Sequence, residues 1–513
     1  MNVKKMLVNM GASVISFIVA LLISFVLSPY VVSQLGEEAY GFQNLANNFV
    51  SYATLVTTAV NAMASRFISV EYNQGRIEKA KKFFSSVFII NCIVYSVILV
   101  VSLIFIYRLE AMISVSPHLV NQVKLTFLFS FLNLGVSMMG TVYTAAVFAT
   151  NNMHWSSALQ IVINVVRSVM VFGLFLCLNP KVYYLSLAAL VAGVINFVGN
   201  YIFTKKLFDG FGIRLKLFDT SAICTLVKSG SWILLSNISN MLLNGFDLLL
   251  CNQFISSAVM GRLSIAKQIP TAISQILGTL SSIFTAALTE AFAKGTKKKI
   301  VEDTNLLLRI LALFLSVPFA GIIVYGRSFL ELWLSSVQYE AKQIEQIYWI
   351  MFIVLVDIVI STYMYSIHSV FIALDKVKFY AMTLFVSSIV SVVITLILLI
   401  STRLGVFAIV GTSTVVLGIT HGIIVPAYAA KLLEERIYVF WNTELKSWTL
   451  MGSLCVIFGI ISKCFEITSW IEFFGVIAVN GIIGYIFSFL FVLRREEQKM
   501  LIKKFILRGR NLK

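Results

Sequence analysis

Charge is scarce in this 513-residue chain: Asp, Glu, Lys and Arg make up 12%, against 59% hydrophobic residues and a mean hydropathy of +0.92. That excludes an ordinary soluble domain, in which about a quarter of residues are charged. Histidine is rarer still, with four, and the six cysteines show neither metal-ligand spacing nor a disulfide framework. Cys92, Cys177, Cys251 and Cys455 fall inside apolar runs, Cys224 lies in a connecting segment, and Cys464 sits at a run's end. No glycine-rich phosphate loop is present, and no large domain stands outside the apolar runs.

What the chain has instead is a succession of apolar stretches. A spanning helix needs roughly 20 mostly apolar residues. Such runs predict helices over 11–35, 42–69, 84–107, 122–149, 156–178, 182–204, 231–255 and 265–292, then 305–326, 345–374, 379–401, 405–430, 447–463 and 471–493. The expected fold class is an all-α polytopic membrane protein with fourteen spans. The first run is too long for a signal peptide, and "LSPYVVSQLG" lacks a small-residue cleavage site.

Basic residues test that count, because Lys and Arg concentrate in cytoplasmic loops. With the N-terminus inside, inner segments hold about 28 of the 40 Lys and Arg, including "RIEKAKK" at 76–82 and "KGTKKK" at 294–299, and outer loops about seven. Both termini are therefore expected in the cytoplasm. The net charge of +17 is dispersed over short loops, which fits an anionic membrane surface and not nucleic acid. In the tail, Leu501 with Phe505 and Ile502 with Ile506 stand beside Lys503, Lys504 and Arg508, as in a helix lying on the membrane.

Residues 205–230 read as a cytoplasmic linker between two six-helix lobes, 1–204 and 231–430, followed by helices 13 and 14 over 447–493 and a basic tail, 494–513. The turns opening the two lobes match weakly: "SQLGEEAYGFQNLA" against "NQFISSAVMGRLSIA", with Gly41 and Gly261 in equivalent places. An even number of intervening spans makes this a parallel repeat.

Polar residues within the spans fall into stripes. The second helix carries Asn44, Asn47, Asn48, Ser51, Thr54, Thr58, Asn61 and Ser65 at three- and four-residue steps. The first carries Ser13, Ser16, Ala20, Ser24 and Ser28; the seventh Ser236, Asn240, Asn244, Asp247 and Cys251; the eighth Lys267, Thr271, Ser274, Gly278, Ser281, Thr285 and Thr289. Two readings are open. Small and hydroxylated residues pack helices closely, whereas amides and charges at matching places in two halves suit a shared hydrated cavity.

In order and spacing, four segments resemble the polysaccharide flippases of the multidrug/oligosaccharidyl-lipid/polysaccharide exporter superfamily. They are "LSPYVVSQLGEEAYGFQNLANNFVSY", "NAMASRFISVEYNQGRIEKAKKFFS", "FDTSAICTLVKSGSWILLSNISNMLLNGFDLLL" and "LGVFAIVGTSTVVLGITHGIIVPAYAAK". The likeness extends over some 430 residues. The chain departs from the pattern near Leu263, where a tyrosine is frequent, and in "SSIFTAALTEAF", where a proline is common. The resemblance implies two lobes around a cavity lined largely by helices 1, 2, 7 and 8. It also implies a bacterial plasma-membrane protein that moves polyprenyl-diphosphate-linked oligosaccharide units outward by alternating access, without covalent chemistry. Glycosyltransferases and a glycan polymerase would be its neighbours in such a process.

A diphosphate needs cationic partners and sugars need amides and hydroxyls. Candidate cations are Arg66, Arg167 and Lys267; snorkelling to an interface is the alternative for Arg66 and Lys267. Arg167 lies nearer mid-span, with Gln160, Asn164 and Ser168 on its face, and the first helix has no arginine of the kind found in the lipid II flippase. Candidate sites for a coupled proton or sodium ion are Asp247, Glu290 and Asp357, with His368 three turns beyond Asp357. No other cofactor or metal is implied. A multidrug exporter should have an acid-rich, aromatic cavity, and a membrane-embedded polymerase or ligase a sizeable external loop; "GRSFLELWLSSVQYEAKQ" is short, and its Arg327, Glu331 and Glu340 form no paired constellation.

Overall fold

The structure, a computed structural model, describes residues 3–208, 210–278, 297–374, 376–493, 495 and 497–498. Among them every regular element is helical. The long helices are α1 (Val3–Leu35), α2 (Glu37–Asn73), α3 (Ile77–Tyr107), α4 (Val120–Ala149), α5 (Met153–Cys177), α6 (Tyr183–Leu207) and α7 (Thr220–Phe254). Next, α8 runs over Ser257–Ala266 and resumes beyond a turn at Lys267 as far as residue 278. The remainder are α9 (Lys297–Trp333), α10 (Ala341–Ala373), α11 (Val377–Ser401), α12 (Val406–Leu432), α13 (Trp441–Ser462) and α14 (Trp470–Val492). Twelve of these are long and apolar enough to cross a membrane; α2, diluted by its polar stripe, and the partly described α8 are the other two. This is a multi-pass helical membrane protein.

Several helix ends lie beyond the hydropathy reading, at α1, α2, α3, α9 and α13 among others, and at two of them a local cause is visible. The seventh helix begins at Thr220, not 231, because Asp219 caps it: its carboxylate accepts the Ser221 N–H (2.8 Å) and hydroxyl (2.6 Å). Those bonds hold the Asp219 carboxyl below its usual range. Helix α9 continues to Trp333, supported by an Arg327–Glu331 ion pair at 3.1 Å one turn apart, so the expected loop 327–344 contracts to 334–340. The eighth helix starts at Ser257, not 265. Hydropathy locates the apolar centre of a helix, whereas capping and ion pairs set where it ends. Glu290, the second half of the eighth helix and the tail from 499 lie outside the described residues.

The chain divides into two compact units, Met1–Ser264 and Ile265–Lys513. In the first, α2 packs on α3, α4 and α7 around Ile68, Phe84, Val142 and Phe208. The α2–α7 crossing is so close that a Cβ on Gly230 would stand 2.2 Å from the Ala59 carbonyl oxygen. The serine face of α1 meets α5, where Ser13 Oγ lies 3.1 Å from Ser157 Oγ and the Asn9 amide donates to Asn151 (2.9 Å). For α1, then, the small-residue stripe packs helices.

In the second unit α13 and α14 close over α9. The Tyr325 hydroxyl donates to the Phe458 carbonyl (3.1 Å) and accepts from the Asn480 amide (3.0 Å), among Leu450, Leu454 and Phe473. Helix α12 contains a π-helical turn, Thr420–Ile424, and the Trp441 indole donates to the Gly422 carbonyl there (2.8 Å). Apolar exteriors such as Val97, Val100, Val101 and Ile104 on α3 remain exposed, as side chains solvated by lipid do.

Candidate functional site

The polar stripe of α2 divides when its neighbours are placed. Asn48 and Tyr52, one turn apart, both donate to the Gly245 carbonyl, at 2.9 and 2.5 Å. That carbonyl is available because α7 breaks there, into Thr220–Asn244 and Phe246–Phe254. Asp247 is buried in the first turn of the second segment, accepts the Leu248 N–H (2.9 Å), and acts electrostatically on Tyr52 and Cys251. A carboxylate suits that position, where the helix dipole presents its positive end.

The two glycines matched in sequence meet in space. A Cβ on Gly41 would lie 3.0 Å from the Gly261 Cα, a tight fit, and one on Gly261 only 2.1 Å from the Glu37 carbonyl oxygen, so Gly261 has no room for a side chain. The acidic turn beside them is engaged: Glu37 pairs with Arg262 at 3.0 Å, and Glu38 accepts the Ser116 N–H (3.2 Å) and hydroxyl (2.7 Å).

Other members of the stripe go elsewhere. Asn61 accepts from Asn91 of α3 (3.0 Å), Asn44 donates to the Tyr40 carbonyl (3.3 Å), and Asn47 and Ser51 are exposed. Arg66, Asn240 and Asn244 are exposed as well; Ser274 and Lys267 are half-buried. Arg167 is half-buried on α5, and its enclosed Nε has no hydrogen-bond partner. Its one electrostatic neighbour of note is Tyr40 on α2, whose hydroxyl reaches Ser28 of α1 at 3.4 Å. Among the described residues this guanidinium forms no ion pair with a carboxylate.

In the second unit Asp357 does not reach His368. It accepts from Ser361 (3.4 Å), whose hydroxyl lies 3.1 Å from Nδ1 of His421 in the π-helical turn of α12, and it interacts electrostatically with Lys267. His421 is buried with its Nε2 unpartnered, and its ring stacks 6.4 Å from Tyr380, against which His368 also packs at 4.6 Å. Three turns along one helix put Asp357 and His368 too far apart, while the π turn, with its altered pitch, aims His421 at the Ser361 hydroxyl. Among the described residues no group of three or more His, Cys, Asp or Glu could hold a metal ion.

The family model described as polysaccharide biosynthesis protein matches residues 6–295, more than half of the chain. The chain belongs to that family. A family relative, the uncharacterized membrane protein EpsK of Bacillus subtilis (strain 168), is 25% identical over 504 residues, 98% of each chain. The fold of the present chain is similar to that of the lipid II flippase MurJ in an inward closed conformation (TM-score 0.69, 14% identity, 94% of this chain and 98% of that one). An inward-facing multidrug resistance MATE family transporter of the MOP superfamily shares it (TM-score 0.66, 12% identity, 82% and 94%). The all-α multi-pass class expected from the sequence is therefore the observed one.

Sequence reasoning passed over Tyr40, Tyr52, Ser361 and His421. Tyrosine and serine are common in spans and carry no pattern of their own. His421 did have a signal, a lone histidine between glycines in "GITHGII", which no periodicity could weigh.

Proposed function

We propose that the protein is a flippase for polyprenyl-diphosphate-linked oligosaccharide repeat units, carrying them from the inner to the outer leaflet of a bacterial plasma membrane by alternating access of its lobes, 1–204 and 231–430. Both termini are cytoplasmic in this reading, and no bond of the substrate is broken. Family membership supports a role in cell-surface polysaccharide synthesis, and the fold shared with a flippase and with exporters supports transport. The observation that carries the reading is Arg167. A cation within a membrane span is stable only with an anionic partner or water, and the neighbour found beside it, Tyr40, is a phenol and not a carboxylate. A diphosphate is such an anion, and Asn44, Asn47, Ser51, Asn240 and Asn244 offer the amides and hydroxyls that a sugar headgroup requires.

Directionality comes from a coupled proton or sodium ion. The network Lys267–Asp357–Ser361–His421 is the candidate acceptor, with Asp247 as a second. A cell lacking the protein is expected to accumulate lipid-linked repeat units on the cytoplasmic leaflet, read by headgroup accessibility in oriented vesicles. Normal delivery to the outer leaflet, with sensitivity to cationic drugs instead, would replace the flippase by a drug exporter.

A further inference from the structure

The second unit holds a cavity of about 820 Å³ where the start of α9, the α12–α13 connector and the end of α14 converge. At its wall lies Arg309, only 7% exposed although charged. Its guanidinium grips Glu497 with two bonds, Nε to Oε2 at 3.1 Å and Nη2 to Oε1 at 2.5 Å. Glu497 is held in place by its neighbour: the Gln498 amide reaches the carbonyls of Phe489, Leu490 and Leu493, which the end of α14 leaves open (3.0–3.2 Å).

The fork that Arg309 offers to a carboxylate fits a phosphate equally well. Among the described residues four basic side chains line the cavity, Arg309, Arg436, Lys446 and Arg495, and four acidic ones, Glu302, Asp303, Glu435 and Glu497. With Glu497 withdrawn, one positive charge is left over, buried at Arg309. That matches a single negative charge; a phosphomonoester would set a second charge against Glu302, Asp303 and Glu435. Asn442 and Thr443 add the positive end of α13, and Leu306, Phe491 and Leu493 give the cavity an apolar side. Helix ends meet here, on the face that the basic loops assign to the cytoplasm. A volume of this size holds a headgroup with its glycerol.

We propose that this cavity is a binding site for a phosphodiester headgroup of one negative charge, with the Glu497 carboxylate as its built-in competitor. The site stands apart from Arg167 and does not depend on the transport reading.

The test uses full-length protein in detergent, with dihexanoyl-phosphatidylglycerol and its deacylated form, glycerophosphoglycerol, as probes, and binding read by thermal shift and titration. Glu497→Gln should bind about tenfold tighter than the parent, because the competitor is gone, and Arg309→Gln about tenfold weaker. Arg309→Lys should fall between, keeping the charge without the fork. The pair R309M/E497L replaces both members of this buried ion pair by apolar side chains, so it should fold and bind no probe. Tightening confined to the acylated probe assigns a bilayer lipid; equal tightening for both assigns a free phosphodiester. Parent-like binding by R309M/E497L, or no gain in Glu497→Gln, would overturn the proposal.

Discussion

Arg167 shows how far a single residue can be read. Its place in mid-span, with Gln160, Asn164 and Ser168 on its face, already set it apart in the sequence. The structure adds that its Nε is enclosed and unpartnered and that Tyr40 of α2 lies beside it. If it holds the diphosphate, Arg167→Ala should abolish glycan display while the protein still reaches the membrane, and Arg167→Lys should keep part of it, since a point charge attracts a phosphate without forking it. Surface glycan staining against membrane-fraction immunoblots measures both. Unchanged display in the Ala variant would remove Arg167 from the path. The asparagines divide otherwise: Asn48 and Asn61 are bound to Gly245 and Asn91, so their loss should be felt first in stability, by about 0.5–2 kcal/mol each.

At the scale of elements, the contact between α2 and its partners α7 and α8 rests on glycines. Gly261→Ala would drive a methyl to 2.1 Å from a backbone oxygen at Glu37, and Gly230→Ala to 2.2 Å from one at Ala59. Backbone cannot rotate away as a side chain can. Each substitution is expected to destabilise the purified protein by about 1–3 kcal/mol or more, lowering its thermal transition, whereas Gly452→Ala on α13, where a Cβ meets nothing within 4 Å, should be nearly neutral. Equal effects at all three sites would refute this account. Sequence periodicity lines up the amides of α2, but it could not say that α7 breaks at Gly245 and meets Asn48 there, while Asn61 turns to Asn91. A break in a helix exposes a carbonyl only where a donor from another helix is there to receive it.

For the whole molecule, the distribution of Lys and Arg predicts orientation, and two exposed cysteines allow a check. Cys224 lies near the start of α7, on the expected cytoplasmic side, and Cys464 follows α13 on the expected outer side; both are exposed. In single-cysteine variants a membrane-impermeant maleimide should label Cys464 in intact cells and Cys224 only after the membrane is opened. The reverse pattern would invert the topology. The connector that carries the chain from α6 to α7 is also anchored, since Ser85 and Ser86 of α3 receive the Arg214 and Asp219 N–H groups at 3.3 and 2.8 Å. The segment read from sequence as a cytoplasmic linker is in part a docked strap, because backbone donors near a membrane surface are satisfied where a serine is within reach.

Composition and period alone dictated the class of this protein, its run of fourteen helices and the face on which each carries its amides. Water and hydrocarbon sort side chains by polarity, and that sorting is written along the chain. Which helix answers each polar face was settled only by packing. Asp357 sits three turns from His368 in sequence yet shares Ser361 with His421, some sixty positions away, because one π turn in α12 points a ring across to α10. Arg309 finds its counter-charge at Glu497, 188 residues on. A hydrogen bond needs a partner within about 3 Å at a defined angle, and no linear pattern encodes that distance between elements so far apart along the chain.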